Sequence, residues 1–412
     1  MPRVANICCH ALAATLLLCL PMQASAEDWP NWRGPQHDGI SRETGWSSSW
    51  GENGPKKLWT ANVGTGFSSI SIAAGRGFTA GHRDDHDTVF CFDAETGVMQ
   101  WNYKYPAPLV DNLHEGGPAA TPTIDGDFVY SVSKDGQLHC FEIATGKVAW
   151  RANIGEIADV PMPQWGFSCS PLVVDDMLIV EAGSTLALDK KTGRLIWKTE
   201  RYEPGYGSPA PCTFDGVQHV AVLNNDDFIL VRCKDGRVVA SHPWKTDYDT
   251  SSTTPIVVGD DVFISTGYKR GCSLLHKNGG RLDTVYENRN MSNHMATCVL
   301  RDGHLYGIDG NSHNARICKL VCLDFATGAV KWSERGFGCG SVLMADGKLI
   351  ILSDDGHLVV AATNPERYEE IARAQVIDGR CWTVPTLANG RIYCRNAVGD
   401  VVCLDVRAAA TP

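Results

Sequence analysis

VFCFDAETGVMQW, Val89–Trp101, is an alternating strand, a turn and a second strand that ends in tryptophan. The turn, Asp93-x-x-Thr96-Gly97, places glycine where a tight hairpin needs a positive φ. The same phrase returns as LHCFEIATGKVAW (Leu138–Trp150), TLALDKKTGRLIW (Thr185–Trp197) and LVCLDFATGAVKW (Leu320–Trp332), with a weaker copy in LVRCKDGRVVASHPW (Leu230–Trp244). A second hairpin stands upstream of each copy, as in CSPLVVDDMLIVEAG and TTPIVVGDDVFISTGY. Each unit therefore holds four short strands in about 40–50 residues, the period of a β-propeller blade.

Working outward, eight units begin near Phe67, Gly117, Phe167, Tyr206, Ser252, Met295, Cys339 and Trp382. The last stops at Val406 after three strands. KLWTANVG (Lys57–Gly64) matches VAWRANIG (Val148–Gly155), which ends a blade, so the N-terminal strand is expected to complete the last blade and close the ring. Closure removes two sheet edges. The expected fold is all-β, an eight-bladed propeller over residues 57–412. Seven blades is the alternative, because units five and seven have degenerate outer strands. Trp101, Trp150, Trp197, Trp244 and Trp332 are expected to wedge between neighbouring blades, each indole N–H finding an acceptor.

Before the propeller, Arg3, the apolar run Ala11–Leu20 and the small residues Ala24-Ser25-Ala26 form a secretory signal over residues 1–26. Export to the periplasm or the cell exterior follows, with no membrane span. Residues 27–56, with Trp29, Trp32, Trp46 and Trp50, are too rich in tryptophan for a flexible linker and are expected to pack over the propeller. The 412 residues are 43% apolar and 20% charged with net charge −10, which excludes nucleic acid as a partner. Of 16 cysteines, three lie in the leader. The odd number remaining leaves at least one free or paired between chains. Cys91, Cys140, Cys322 and Cys403 share one repeat position, so they are spread around the ring as buried thiols. Cys381, Cys394 and Cys403 fall in one blade, where a disulfide could form.

The Asp-x-x-Thr-Gly-x-x-x-Trp phrase resembles the tryptophan-docking repeat of the pyrroloquinoline-quinone (PQQ) propeller superfamily. That superfamily includes quinoprotein alcohol dehydrogenases and the non-catalytic outer-membrane assembly lipoprotein. The strings EDWPNWRGP, EGGP, WGFSCSP, WKTDYDTSS and CWTVP are similar to exported PQQ-repeat proteins of planctomycete-type bacteria. The dehydrogenases hold the quinone under a disulfide between adjacent cysteines, with a Ca²⁺ and a catalytic Asp. Here the adjacent pair is Cys8-Cys9, inside the leader, and there is no C-x-x-C-H haem motif.

Candidate site residues are those delivered to the channel mouth just before each innermost strand. They are His114, Glu115, Trp165, Tyr206, Lys245, Asp249, Asn293, His294 and Trp382, with Asp247 beside them. Aromatic faces among Asp, Glu, His and Lys suit a polar organic ligand. His82–Asp87 is the densest polar cluster, expected as a solvated hairpin tip. No nucleophile motif is present and no catalytic residue is assigned. The expectation is a non-catalytic binder of a polar small molecule or an envelope protein, with no assigned cofactor. The alternative is a PQQ- and Ca²⁺-dependent dehydrogenase of alcohols or sugars, with Asp249, Glu115 and Asn293 as the Ca²⁺ ligands.

Overall fold

The computed structural model describes residues 26–51 and 53–408. The expected leader lies outside them except for Ala26. Among the described residues eight antiparallel four-stranded blades stand in a ring, the seventh extended to five strands by a short parallel strand from the arm. Their innermost strands are Ser71–Ala73, Thr123–Asp125, Leu172–Val174, Ala210–Phe214, Ile256–Val258, Val299–Arg301, Ser341–Ala345 and Thr386–Ala388. These define blades 1 to 8 in chain order. Blade 8 takes its outermost strand from Lys56–Asn62, which pairs antiparallel with Asp400–Asp405, Asn62 opposite Asp400. The N-terminal strand thus closes the ring.

The core is distributed. Eight apolar clusters lie one at each blade junction. Alternate side chains of one strand feed opposite junctions: Val342 and Met344 pack towards blade 6, Leu343 and Ala345 towards blade 8. With both faces covered, inner strands such as SVLMA and KLIIL read as continuous apolar runs. The repeat explains how the junctions lock. Asp189 Oδ1 accepts from the Thr192 hydroxyl at 2.7 Å and from its amide at 2.8 Å, which shapes the turn. Gly193 follows at φ 71°. A Cβ there would sit 2.5 Å from the Trp150 ring of the preceding blade. Glycine is therefore required by conformation and by contact alike.

Each docking indole donates to a backbone carbonyl of the next blade: Trp101 to Ile143 (2.8 Å), Trp150 to Lys190 (3.0 Å), Trp197 to Cys233 (2.8 Å) and Trp332 to Asn364 (2.8 Å). Trp59 closes the ring the same way, donating to Ala94 at 3.2 Å. In blade 5 the Tyr286 hydroxyl replaces the indole, donating to Phe325 at 3.0 Å. Trp244 departs from the pattern. It lies beyond the outer strand Val238–Pro243, donates to Thr266 Oγ1 at 3.1 Å and carries the Arg270 guanidinium 3.6 Å above its ring. The longer VVASHPW spacing moves it off the docking position.

All thirteen described cysteines are free thiols, so the disulfide considered for the last blade is not formed. Cys91, Cys140, Cys322 and Cys403 fall in four different junctions. Burial pushes their thiols up, Cys91 and Cys322 to about 11, Cys140 and Cys403 to about 12.

The first part of the N-terminal arm enters the channel, while its second part packs over the propeller as expected, Trp46 and Trp50 lying against the junction of blades 7 and 8 and Ser47 N–H donating to Val406 at 2.6 Å. Trp29 exchanges both backbone hydrogen bonds with Ile72 of blade 1, at 2.8 and 2.9 Å. Pro30 accepts from Ile124 of blade 2 at 2.9 Å. Ile40–Ser41 runs parallel to the innermost strand of blade 7. Arg33, buried, donates to the carbonyls of His37, Asp38 and Cys298. The arm thereby pairs inner backbone that would otherwise face the channel unmet.

Candidate functional site at the channel mouth

Each innermost strand starts at one face of the ring, here called upper, and runs down. The second strand climbs back. Loops that enter the inner strands and turns between the second and third strands therefore share the upper face. There they surround a cavity of about 260 Å³. Trp32, reaching up from the arm and donating to Thr254 Oγ1 at 2.9 Å, is part of its wall.

Five of the nine residues expected at the mouth line this cavity: His114, Trp165, Tyr206, His294 and Trp382. The other four do not. Glu115 is held by Arg380, Nη1 to Oε2 2.8 Å. Lys245 pairs with Asp226 at 3.0 Å on the exposed rim. Asp249 sits on an exposed turn beside Tyr248 and Asp247. Asn293 is buried in the wall, its amide donating to Ile308 at 2.8 Å. The proposed calcium ligands are thus not assembled: Glu115 is paired with Arg380, Asp249 stands on the exposed rim, and Asn293, whose buried Oδ1 has no hydrogen-bond partner, lies in the wall outside the cavity lining. Among the described residues no group of three or more His, Cys, Asp or Glu side chains converges where a metal ion could sit. This donor set does not fit a calcium-held quinone.

The cavity adds residues the sequence reading did not single out: Phe67, Lys134, Tyr268, His313 and Arg380. Lys134, Tyr268 and His313 come from second-to-third-strand connections, not from the loops that enter the innermost strands. Phe67 stacks on Trp382 (5.6 Å, 22°), and the Arg380 guanidinium lies 4.5 Å above the Trp382 ring. Across the mouth, Tyr268 stacks on His313 (5.6 Å, 21°) and meets His294 edge-on (5.0 Å). Trp165 meets Tyr206 edge-on at 5.7 Å and donates to Asn112 at 3.1 Å, which ties two loops together.

The polar chemistry is one-sided. Among the described residues no Asp or Glu side chain lines the cavity. Lys134, 3% exposed, donates to the Trp165 carbonyl at 2.6 Å and to Ser168 Oγ at 3.3 Å. Burial lowers its ammonium to about 8. Burial, and then the charges of Lys134 and Arg380, lower His114 to about 4. Burial and then His313 lower His294 to about 4. Both imidazoles are neutral at pH 7. Gly116 N–H is donated to His114 Nδ1 at 2.8 Å and Ser312 N–H to His294 Nδ1 at 3.1 Å. Each ring's proton therefore sits on Nε2, as a donor. His294, the one residue weighed as a general base, has its accepting nitrogen already occupied.

The His82–Asp87 cluster divides in two. Arg83–Asp85 is a solvated hairpin tip, as expected. His82 and Asp87 are instead buried opposite one another, Nδ1 to Oδ1 2.9 Å, and burial raises Asp87 to about 6.

Comparison with known proteins sets this site in context. A family model described as outer membrane protein assembly factor BamB matches residues 110–334. Over 371 residues the chain is 21% identical to the outer membrane protein assembly factor BamB of Yersinia pestis, spanning 84% of this chain and 88% of that protein. The fold is similar to that of BamB from Moraxella catarrhalis, with TM-score 0.63, 16% identity and coverage of 85% of this chain and 100% of that one. It is also similar to a europium-containing methanol dehydrogenase, with TM-score 0.71, 10% identity and coverage of 91% and 90%. One ring architecture thus serves an assembly factor and an enzyme, and the fold does not choose between them. The repeat, the eight-fold ring and a family match over more than half of the sequence converge: the chain belongs to the BamB family of PQQ-repeat β-propellers.

Proposed function

We propose that this protein is exported to the cell envelope and acts there as a non-catalytic binding protein, taking a small acidic, ring-bearing organic molecule at the channel mouth. The observation that carries this is the lining of the cavity. Lys134, Arg380, two Nε2–H imidazoles and several hydroxyls supply donors; the one carboxylate paired with them is Glu115, which holds Arg380 from outside the lining and leaves the rest of its guanidinium to a ligand. Such a set pairs with a carboxylate or another acceptor-rich group, while Trp382, Trp165 and Tyr268 offer faces to a ring. The envelope setting is supported by the leader sequence and by the BamB relatives. Among the described residues no helix is long and apolar enough to cross a membrane.

The test is a tryptophan-fluorescence titration of the purified protein with ring-bearing carboxylic acids, sugar acids and neutral sugars. Saturable quenching confined to the acids is expected. A second titration adds PQQ with Ca²⁺, followed by dye reduction with alcohols and sugars. Substrate-dependent turnover there overturns the non-catalytic reading in favour of a quinoprotein dehydrogenase.

A further inference from the structure

At the lower end of the channel the arm is fastened by a buried carboxylate. Glu43 is 2% exposed. Its Oε1 accepts from the backbone amides of Glu27 (3.1 Å) and Asn389, and its Oε2 from Gly390 (2.9 Å). Glu27 is docked through three further groups. Its carbonyl accepts from Asn389 N at 3.2 Å, and its Oε2 accepts from Ser41 Oγ at 3.3 Å and Arg42 N at 2.6 Å. The charges do not balance. Glu43 has the Glu27 carboxylate as its charged neighbour, and Asp28, beside it, accepts from Asn389 Nδ2 at 2.9 Å. Among the described residues no Lys, Arg or His forms an ion pair with Glu43; Arg42, the nearest in sequence, pairs with Asp38. A buried carboxylate without a cation is costly, and burial accordingly pushes the Glu43 carboxyl above its ordinary value.

The missing cation has a source in the sequence. Ala24-Ser25-Ala26 is the small-residue signature of leader cleavage, and Ala26 is exposed. Hydrolysis of the Ala26–Glu27 peptide bond by a signal peptidase consumes one water. It releases the leader as a carboxylate and turns the Glu27 amide nitrogen into an ammonium. That nitrogen already points at Glu43.

We infer that Ala26–Glu27 is a processing site whose cleavage builds an ion pair between the new Glu27 α-ammonium and Glu43, locking the arm into the channel and onto blade 8. The mature N-terminus is then a structural part of the ring. This inference rests on the export reading above.

Two proteins test it, one beginning at Glu27 and one carrying Gly-Ser ahead of Glu27, each with and without Glu43→Gln. The Glu27-start protein should melt about 2 °C or more above the extended one. The gap should close in the Glu43→Gln pair and, in the native pair, at a pH above the titration of the α-amine, which lies near 8 when free and higher beside a carboxylate. Should Glu43→Gln fold poorly, acylation of the α-amine at pH 8 serves in its place. The amine of the Glu27-start protein should react at least about tenfold more slowly than that of the extended one, the reagent meeting mainly the protonated form. Equal melting and equal reactivity overturn the ion pair. N-terminal sequencing of the exported protein separates the two readings: a start other than Glu27 overturns the processing site, whatever the melting temperatures show.

Discussion

The blade junctions and the channel mouth are built from the same strands on opposite principles. At a junction, one solution is repeated. A tight turn ending in glycine receives an aromatic ring from its neighbour: Trp59, Trp101, Trp150 and Trp197 lie on Gly97, Gly146, Gly193 and Gly236, the first three in Asp/Glu-x-x-Thr-Gly turns and the last in Arg232-Cys-Lys-Asp-Gly. At the mouth nothing repeats. Each blade contributes a different side chain, Trp165, Tyr206, Tyr268, His294 or Trp382, to one cavity. Repetition marks the part that holds the ring up. Its absence marks the part that has been made specific.

This contrast predicts large stability effects at the junctions and binding effects at the mouth. Trp197→Ala removes a nearly buried ring and its hydrogen bond to Cys233. It should cost about 3–5 kcal/mol in chemical denaturation. Arg380→Gln should leave the midpoint nearly unchanged, since its pair with Glu115 is half-exposed. It should weaken an acidic ligand by about 1.5–3 kcal/mol in calorimetric titration. A variant that exchanged these two phenotypes would break the comparison.

Two ionisations sharpen it further. Glu181 is buried in blade 3, on the strand face that Met177 and Ile179 turn towards blade 4, and burial raises it from 4.5 to about 7. The folded state holds this proton more tightly than the unfolded chain. Its stabilising contribution is therefore complete below pH 4.5 and is lost as pH rises through about 7. Glu181→Gln should flatten that decline in denaturation midpoints measured across the window. At the mouth Lys134 sheds its charge above about 8, so acid binding should weaken as pH passes that value. The smallest effect belongs to the rim. Lys245→Ala breaks only an exposed pair with Asp226 and should leave both the denaturation midpoint and the ligand affinity essentially unchanged.

The same contrast explains what could be read from the sequence. The junction chemistry was legible because repetition amplified it: five copies of one phrase fixed the blades, the turns and most docking rings. The match of KLWTANVG to VAWRANIG placed the closing strand, although Trp59 within it was not among the expected docking rings. Trp244 was misplaced because its copy carries extra residues before the ring. At the mouth, residues next to the inner strands could be anticipated and five of nine arrived there. Lys134 could not, because Lys-Asp-Gly is ordinary hairpin composition. That its side chain turns inward beneath Gly166 is decided by packing across two blades. Neither was the arm's path legible. Its tryptophans announced burial, but only the unmet backbone of the inner strands shows where.

The account turns on the acidity of the ligand. The most direct measurement is the affinity of the purified protein for a matched pair, a ring-bearing carboxylic acid that binds and its methyl ester, at pH 7. A loss of at least about tenfold on esterification, abolished in Arg380→Gln, is the result expected for a donor-lined, carboxylate-free mouth. Equal affinity for acid and ester would contradict it, and would assign the cavity to aromatic contact alone.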